Sequence, residues 1–267
     1  MSAQPIAAST TGPDIVTAFG ECWTSWRELG RTLDEDAWAS PALCPGWTCK
    51  DALIHLTAAE TGFADWTPSP TPPMEQIGVA IKSLRQRSGA EVLTAFEAIT
   101  GRRSEQLATM GEDGLDAVGW SPAGIGPYRR YMEIRIFDTW AHEQDVRVPL
   151  GMPGHLEGRG PLVSLNEAHI AFGYLVGKRA GLPDGSSVTV HVTGPNARDL
   201  HAVIEGRARV VDELSNPACE LTVDFATFML LCCGRIDPEA PLGDGRVVLG
   251  GDRTLAEAVA RNLAFTI

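Results

Sequence analysis

The sequence predicts two domains, a bundle of α-helices followed by a smaller α+β domain, which is the fold class α plus α+β. In the first half of the chain, apolar residues recur at spacings of three and four, the period of a helix. Beyond residue 186, short segments alternate apolar and polar residues as strands do. The stretch 149–161 between them is rich in Pro and Gly, as linkers are. We therefore predict a helical domain over 1–156 and an α+β domain over 157–267.

The whole-chain composition limits the classes of partner. The 267 residues are 44% hydrophobic and carry a net charge of -12 without a Lys/Arg cluster, which argues against nucleic acid or a membrane as the partner. The N-terminus lacks the basic and apolar regions of a signal peptide, and no apolar run approaches the roughly 18 residues of a membrane span. The six cysteines are scattered, as is typical of a reducing cytosol. We expect a cytoplasmic protein that binds small molecules, of unknown oligomeric state.

Helical periodicity and helix caps define the first domain. Thr48 is the expected N-cap of its second helix, because Asp51 follows three residues later, as in a capping box. The segments 34–46, 67–73 and 111–127 are predicted to be connections, and the last is long enough to line a functional site. The predicted helices span about 14–33, 48–63, 74–87, 90–110 and 131–147.

The second domain is predicted from alternating segments separated by turn residues. It should begin with a helix over 162–179. The predicted strands lie near 186–194, 199–207, 207–214, 219–225 and 245–252. The two remaining helices lie near 225–233 and 254–263.

Three side chains on two helices are candidate metal ligands. His55 lies within an apolar stripe, so we expect it to face other helices and to need a polar partner. Asp138 and His142 are four residues apart and project from one face of their helix. Two histidines and a carboxylate are a common ligand set for catalytic zinc, and helix bundles build such sites between facing helices. Taken singly, the same residues also fit a core histidine and a helix ion pair.

Two other zinc patterns fail on their spacing. His142 and Glu143 begin like the H-E-x-x-H motif, but Val146 stands where the second histidine belongs. Cys44, Cys49 and His55 could form a structural zinc site, but no fourth ligand follows at the usual spacing.

The remaining histidines offer weaker signals as ligands. His155 lies in the linker and His169 on a helix flank. His191 and His201 fall in predicted strands and are expected to face solvent.

Several motifs resemble one known family. The segments PGWTCKDALIHL (45–56) and RIFDTWAHEQDVR (135–147) are similar to the second-helix and fourth-helix motifs of the mycothiol-dependent maleylpyruvate isomerase family. LLCCGR (230–235) and VVLGGDRTLAEAVARNL (247–263) are similar to its closing pattern, so the resemblance covers nearly the whole chain. It implies a DinB-like (YfiT-like) four-helix bundle that binds a divalent metal, usually zinc. It also implies a smaller, sterol-carrier-like α+β C-terminal domain.

The resemblance assigns roles to individual residues. It implies that His55, Asp138 and His142 are metal ligands, with mycothiol as a thiol cosubstrate. The carboxylate is often Glu in the family, and this chain departs from that pattern with Asp. The expected function is a metal-dependent thiol transferase or isomerase, in which a thiolate attacks a small electrophile such as maleylpyruvate. Arg235 is our candidate for holding a carboxylate of the bound ligand, although a surface Arg at a helix end is the simpler interpretation.

Two other classes of function stay open. A metal-dependent hydrolase would activate a bound water and would need a general base. Glu143 points about 100° away from the ligand face, whereas Asp145 lies closer to that face. A non-catalytic protein would use the two domains as a ligand pocket, with the metal structural or absent. The sequence does not identify the electrophile, the metal or the physiological thiol.

Overall fold

The structure, a computed structural model, describes residues 10–266. These residues form two compact units, an N-terminal unit over 10–164 and a C-terminal unit from 165 onward. The N-terminal unit is mainly helical and the C-terminal unit contains a mixed sheet, which confirms the predicted fold class. The division between the units falls within a helix, and the domain boundary after residue 156 stays a prediction.

The N-terminal unit is built from helices and one small hairpin. Its elements are α1 (Gly12–Gly30), α2 (Glu35–Ala39), α3 (Cys49–Phe63), α4 (Met74–Leu84), α5 (Gly89–Asp116), β1 (Val118–Ser121), β2 (Gly124–Pro127) and α6 (Tyr128–Arg147), and α7 (Arg159–Tyr174) begins in it. The four long helices α1, α3, α5 and α6 pack side by side as a bundle. In this bundle α6 contacts both α1 and α3.

Aromatic side chains fill the core of the bundle. Trp26 of α1 and Phe96 of α5 are fully buried, with ring centroids 6.3 Å apart. The indole Nε1 of Trp26 donates a hydrogen bond to the backbone oxygen of Thr139, at 2.9 Å. Ile136 of α6 is also fully buried. These contacts fix the rotation of α6 about its axis and hence the direction of the side chains on its other faces.

The start of α3 is set by the predicted cap. Thr48 accepts a hydrogen bond from the backbone of Asp51 at 3.1 Å, and the Asp51 carboxylate accepts one from the backbone of Thr48 at 3.0 Å. Both halves of the capping box are therefore present. The cap sets where the helix starts and so the position of His55 along it.

The prediction of a long loop over 111–127 is wrong. Helix α5 continues to Asp116 across a kink at Gly111, where φ is +68°, and the hairpin β1–β2 follows. Gly124 has a φ of +110°, a conformation that glycine adopts without strain, and it forms the turn with Ser121. The glycines that suggested a loop instead allow the kink and the turn.

The connection predicted over 34–46 also contains a short helix. Asp34 accepts a hydrogen bond from the backbone of Ala37 at 2.8 Å and so caps α2. Trp38 on this helix is buried against the bundle. The acidic start of the segment was therefore a helix cap rather than part of a loop.

The C-terminal unit is a five-stranded sheet with helices. It contains the end of α7, a π-helical turn (Leu175–Arg179), β3 (Ser187–Thr193), β4 (Arg198–Glu205), β5 (Arg207–Val211), β6 (Cys219–Asp224), α8 (Phe225–Cys232), α9 (Glu239–Asp244), β7 (Val247–Gly251) and α10 (Arg253–Arg261). The strand order is β5-β4-β3-β6-β7. Only the pairing of β3 with β6 is parallel.

One histidine of the C-terminal unit is more buried than expected. His201 does not face solvent, because it is 9% exposed and its Nδ1 lies 2.9 Å from the hydroxyl of Thr189 on the neighbouring strand. His169, expected on a helix flank, lies on α7 and is 3% exposed. His191 is the more exposed strand histidine and pairs with Asp199 at 2.8 Å. Both faces of the sheet are buried at its centre, so the alternation of apolar and polar residues does not show which side chains face solvent there. This is why His201 was wrongly expected to face solvent.

All six cysteines are buried and free of disulfides, as a scattered set of small core residues should be. Among residues 10–266, no helix is long and apolar enough to cross a membrane.

Candidate metal centre

Helices α3 and α6 bring the three predicted ligands together. One ligand atom from each of His55, Asp138 and His142 lies within 4.8 Å of the other two. Asp138 lies between the two rings, with Oδ2 3.1 Å from Nε2 of His55 and Oδ1 3.4 Å from Nε2 of His142. Each carboxylate oxygen therefore faces one imidazole, and both imidazoles present the same kind of nitrogen.

The cluster is open on one side. The side chains of His55 and Asp138 are 34% and 28% exposed, whereas that of His142 is 8% exposed. His55 was expected to be buried, and the structure instead places it at the edge of the apolar stripe. Solvent therefore reaches the cluster from the side of His55 and Asp138.

The donor set fits a divalent cation. Zinc is bound by histidine nitrogen and carboxylate oxygen at roughly 2.0–2.2 Å, so tetrahedral ligands stand about 3.4 Å apart. The separations of 3.1 Å and 3.4 Å between Asp138 and the two rings are close to that spacing. Three protein ligands beside a solvent-open position are also what a catalytic zinc site provides.

Trp47 packs on both histidines and was not predicted as part of the site. Its ring is stacked on His142, with centroids 5.2 Å apart and planes inclined by 15°. It lies 5.3 Å from the ring of His55 at an inclination of 54°. Gly46, with a φ of +79°, makes the turn that leads into Trp47. The only signal in the sequence was a large aromatic residue placed directly before a helix cap.

A buried ion-pair network holds Asp138 on the side away from solvent. Arg135 donates one hydrogen bond to Asp138 and another to Glu60, the latter at 3.2 Å. The other oxygen of Glu60 accepts a hydrogen bond from Arg103 at 3.0 Å, and Arg103 also donates to the hydroxyl of Tyr128 at 3.0 Å. The side chains of Glu60, Arg103 and Arg135 are 3%, 2% and 7% exposed. Asp138 is therefore anchored by a fixed partner on the side away from solvent.

The charges of the cluster shift the pKa values of its members. Burial opposes the charge on Asp138, but the positive charges of His55, Arg135 and His142 outweigh it and hold the pKa of Asp138 well below its usual value. Burial also opposes the charge on His142, but Asp138 and Asp145 raise the pKa of His142 to about 9. Without a cation, the site at neutral pH is an ionised carboxylate beside a protonated imidazole.

The two acids considered as general bases both already have hydrogen-bond partners. Asp145 is 1% exposed and its Oδ2 lies 2.9 Å from Nδ1 of His142, the ring nitrogen that does not face Asp138. Glu143 is fully buried and accepts hydrogen bonds from Ser25 at 2.5 Å and from Arg147 at 2.5 Å. Its other oxygen lies 2.7 Å from Nδ1 of His155, so the linker histidine is held against α6. Neither acid faces the open side of the cluster.

A second group of potential ligands shares His142. One ligand atom from each of Cys44, His142 and Asp145 lies within 4.8 Å of the other two, and all three residues are buried. Cys49 is not part of it. Within the described residues these two groups are the ones with metal-ligand spacing.

Arg235 lies in the C-terminal unit at the end of α8. One of its guanidinium nitrogens donates to the backbone oxygen of Cys233 at 2.9 Å, and Arg235 is partly exposed. This contact matches the simpler interpretation, an Arg that satisfies a carbonyl at a helix C-terminus. Its role in holding a ligand stays a prediction.

Comparison with known proteins identifies a family and two solved structures that are similar to this chain. The family model described as the mycothiol maleylpyruvate isomerase N-terminal domain matches residues 19–147, and the model described as the MDMPI C-terminal domain matches residues 163–258. A crystal structure of the mycothiol-dependent maleylpyruvate isomerase is similar, with a TM-score of 0.60 and 16% sequence identity. A mutant of the enzyme of that name, with one histidine replaced by alanine, has a TM-score of 0.58 and 16% identity.

Both structural matches extend over most of the two chains. Each covers 85% of this chain and 90% of the solved structure. At 16% identity they establish the fold, and function has to be argued from the site. No curated protein matches the chain closely enough to count as a relative.

Proposed function

Because the chain belongs to the mycothiol maleylpyruvate isomerase family, we propose that it is a metal-dependent enzyme that uses mycothiol to isomerise a small electrophile of the maleylpyruvate type. The observation that carries the proposal is the convergence of His55, Asp138 and His142 on one solvent-open point. Zinc is the cation that this donor set suits best.

The three ligands would hold the cation, and the other residues of the site prepare it. Arg135 and Glu60 keep the Asp138 carboxylate in place between the histidines. Trp47 stacks on the ring of His142 and lies at a tilt against the ring of His55, so it places an apolar ring beside both proposed ligands. A bound divalent cation would lower the pKa of a thiol, about 8.5 when free, and so make a thiolate available at neutral pH.

The protein does not need a nucleophile of its own. Burial raises the pKa of the thiols of Cys22, Cys49 and Cys232, which makes them poor nucleophiles. The thiolate of mycothiol would add to the conjugated double bond of the substrate, rotation would follow about the resulting single bond, and elimination would return the thiolate with the trans isomer. This sequence consumes neither thiol nor reducing equivalents.

Asp138 is one methylene shorter than the Glu that the resemblance favours, yet its two oxygens reach both imidazoles. Arg135, one turn earlier on α6, bonds the same carboxylate. The shorter side chain is therefore compatible with a three-ligand site.

A non-catalytic ligand-binding protein is the second candidate, and one observation favours it. Asp138 already lies beside the cations Arg135 and protonated His142 and within hydrogen-bond distance of His55, so its charge is balanced without a metal. A hydrolase is less well supported, because Asp145 and Glu143 do not face the open side.

Metal analysis and a paired activity assay test the proposal. Protein purified without chelator should contain about one zinc ion per chain and should isomerise maleylpyruvate only when mycothiol is added. His55→Ala should lose both the ion and the activity, whereas His191→Ala, on the sheet of the C-terminal unit, should keep both. A wild-type chain that takes up no metal and neither isomerises nor conjugates any of a panel of electrophiles would rule the proposal out.

A further inference from the structure

We propose that Asp145 is the positioning residue of the metal centre, which accepts a hydrogen bond from Nδ1 of His142 and thereby directs Nε2 towards the cation. The inference rests on the proposed function, because it concerns the same centre. It adds a role for a residue that does not face the open position and that was considered in the sequence as a possible general base.

The two nitrogens of His142 have different surroundings. Nδ1 lies 2.9 Å from Oδ2 of Asp145, and Nε2 lies 3.4 Å from Oδ1 of Asp138. A neutral imidazole carries one N–H and one lone pair, and only the lone pair can bind a metal. A carboxylate at Nδ1 retains the proton there and leaves the lone pair on Nε2, the nitrogen that faces His55 and Asp138.

The position of Asp145 is itself well fixed. Its side chain is 1% exposed, and its backbone oxygen accepts a hydrogen bond from the backbone of Leu43 at 2.9 Å. Leu43 belongs to the segment 41–48, which is closed at its ends by a bridge between Pro41 and Thr48. A buried carboxylate on a fixed backbone is a better orienting group than an exposed one, because it has few alternative rotamers and no competing water.

The same segment holds the imidazole from a second direction. Trp47 lies within 41–48 and stacks on the face of His142. Asp145 therefore fixes the ring of His142 within its plane, while Trp47 restricts its tilt. Two perpendicular restraints define the ring orientation before any cation arrives, which reduces the cost of organising the site on binding.

The group Cys44, His142 and Asp145 offers a competing explanation for the same geometry. A soft cation could in principle bind the thiolate of Cys44, the carboxylate of Asp145 and Nδ1 of His142. In that case Nδ1 would lose its proton and the hydrogen bond to Asp145. The side of His142 that faces His55 and Asp138 is open, whereas all three members of the alternative group are buried. The geometry therefore favours Asp145 as an acceptor rather than a ligand.

Metal affinity and cobalt spectra test the assignment. We would measure zinc affinity by competition with a chromophoric chelator for wild type, Asp145→Ala and Asp145→Asn. Loss of an outer carboxylate partner of a ligating histidine typically costs 10–100-fold in metal affinity, so Asp145→Ala should bind zinc about 10–100-fold more weakly. Asp145→Asn should lose less, because its amide oxygen can still accept from Nδ1. Glu143→Gln is the matched control, since Glu143 is equally buried on α6 but bonds away from the cluster, and it should keep the wild-type affinity.

Each contrary outcome has a distinct meaning. Zinc affinity within twofold of wild type in the folded Asp145→Ala variant would overturn the role of Asp145. If that variant does not fold, a folded Asp145→Leu, which fills a similar volume without a hydrogen-bond acceptor, with unchanged affinity and an unchanged cobalt d–d spectrum would overturn it equally. A thiolate-to-cobalt charge-transfer band that Cys44→Ala abolishes would place the ion in the alternative group and also overturn it. A wild-type chain that binds neither zinc nor cobalt would overturn the proposed function itself, and this inference with it.

Discussion

His169 on α7 is a buried histidine with unusual surroundings. It is 3% exposed, and neither ring nitrogen has a hydrogen-bond partner among the described residues. Burial, followed by the nearby charges of Arg198 and His201, lowers the pKa of His169 to about 4 from an ordinary 6.5. The folded state therefore holds a neutral imidazole at a pH where the unfolded chain takes up a proton.

This difference makes stability depend on pH. Between pH 6.5 and pH 4 the unfolded state binds more protons than the folded state, so stability is lost as the pH falls through that range. By linkage, the loss attributable to His169 is about 2 kcal/mol between pH 8 and pH 5. Urea unfolding of wild type and His169→Leu at both pH values should show this difference in the wild type and a smaller one in the variant. Equal acid sensitivity of the two proteins would contradict the assignment, and His191→Leu serves as a control in the same sheet unit.

Trp47 gives a second prediction for a single residue. Stacked aromatic contacts are worth about 0.5–1.5 kcal/mol beyond area burial, which corresponds to an affinity change of roughly 2–13-fold. Because the Trp47 ring lies against His142 and His55, Trp47→Ala should weaken zinc binding within that range. Trp47→Phe retains a flat ring and should lose less. The chelator competition assay measures both variants, and an Ala variant that binds zinc as tightly as wild type would show that the ring does not restrain the ligands.

Helices α3, α5 and α6 are joined by the ion pairs of Glu60. This carboxylate is shared by Arg103 of α5 and Arg135 of α6, and its side chain is 3% exposed. Removing one partner of a buried ion pair typically costs about 3–5 kcal/mol, because it leaves an uncompensated charge in a low-dielectric interior. Glu60→Ala should therefore lower the free energy of unfolding by about that amount, as measured by urea titration.

An exposed ion pair between α5 and the end of α3 supplies the control for Glu60. Arg102 bonds Asp65, and these side chains are 50% and 76% exposed. Exposed pairs contribute between about 0 and 1 kcal/mol, so Arg102→Ala should change stability far less than Glu60→Ala. Similar losses in the two variants would mean that burial does not strengthen the Glu60 network.

Sequence patterns predicted elements well where the signal is local. Thr48 and Asp51 are three residues apart, and their capping box begins α3 as expected. The hairpin within 111–127 was missed because a glycine-rich composition indicates only that the backbone is free to turn. It does not show which part of the protein the backbone packs against. A Cβ on Gly119 would lie 2.9 Å from the ring of Trp66 and 3.0 Å from Pro68. That glycine therefore permits a close approach between β1 and a distant loop, which periodicity cannot show.

The same contrast applies to the site within the whole molecule. His55, Asp138 and His142 could be named from helix spacing and from the family resemblance, because each lies in a short motif. Glu60 and Arg135 could not be linked, because they lie on different helices and depend on the packing of α3 against α6. The proposed ligands are thus visible as local patterns, whereas the residues that hold them in place depend on contacts between helices far apart in the sequence.

The location of the three proposed ligands predicts how a metal would stabilise the chain. All three lie in the N-terminal unit, and a ligand that binds only the folded state adds RT ln(1 + [L]/Kd), about 2.7 kcal/mol at a hundredfold excess over Kd. Zinc should therefore slow hydrogen exchange in α3 and α6, while the sheet of the C-terminal unit should change less. Exchange measured by mass spectrometry with zinc, and after chelation, would locate the protection. His55→Ala should abolish it, and equal protection in that variant would mean that zinc binds elsewhere. Protection confined to the sheet would contradict the location of the centre between α3 and α6, because ordering two facing helices is the direct consequence of ligands drawn from both.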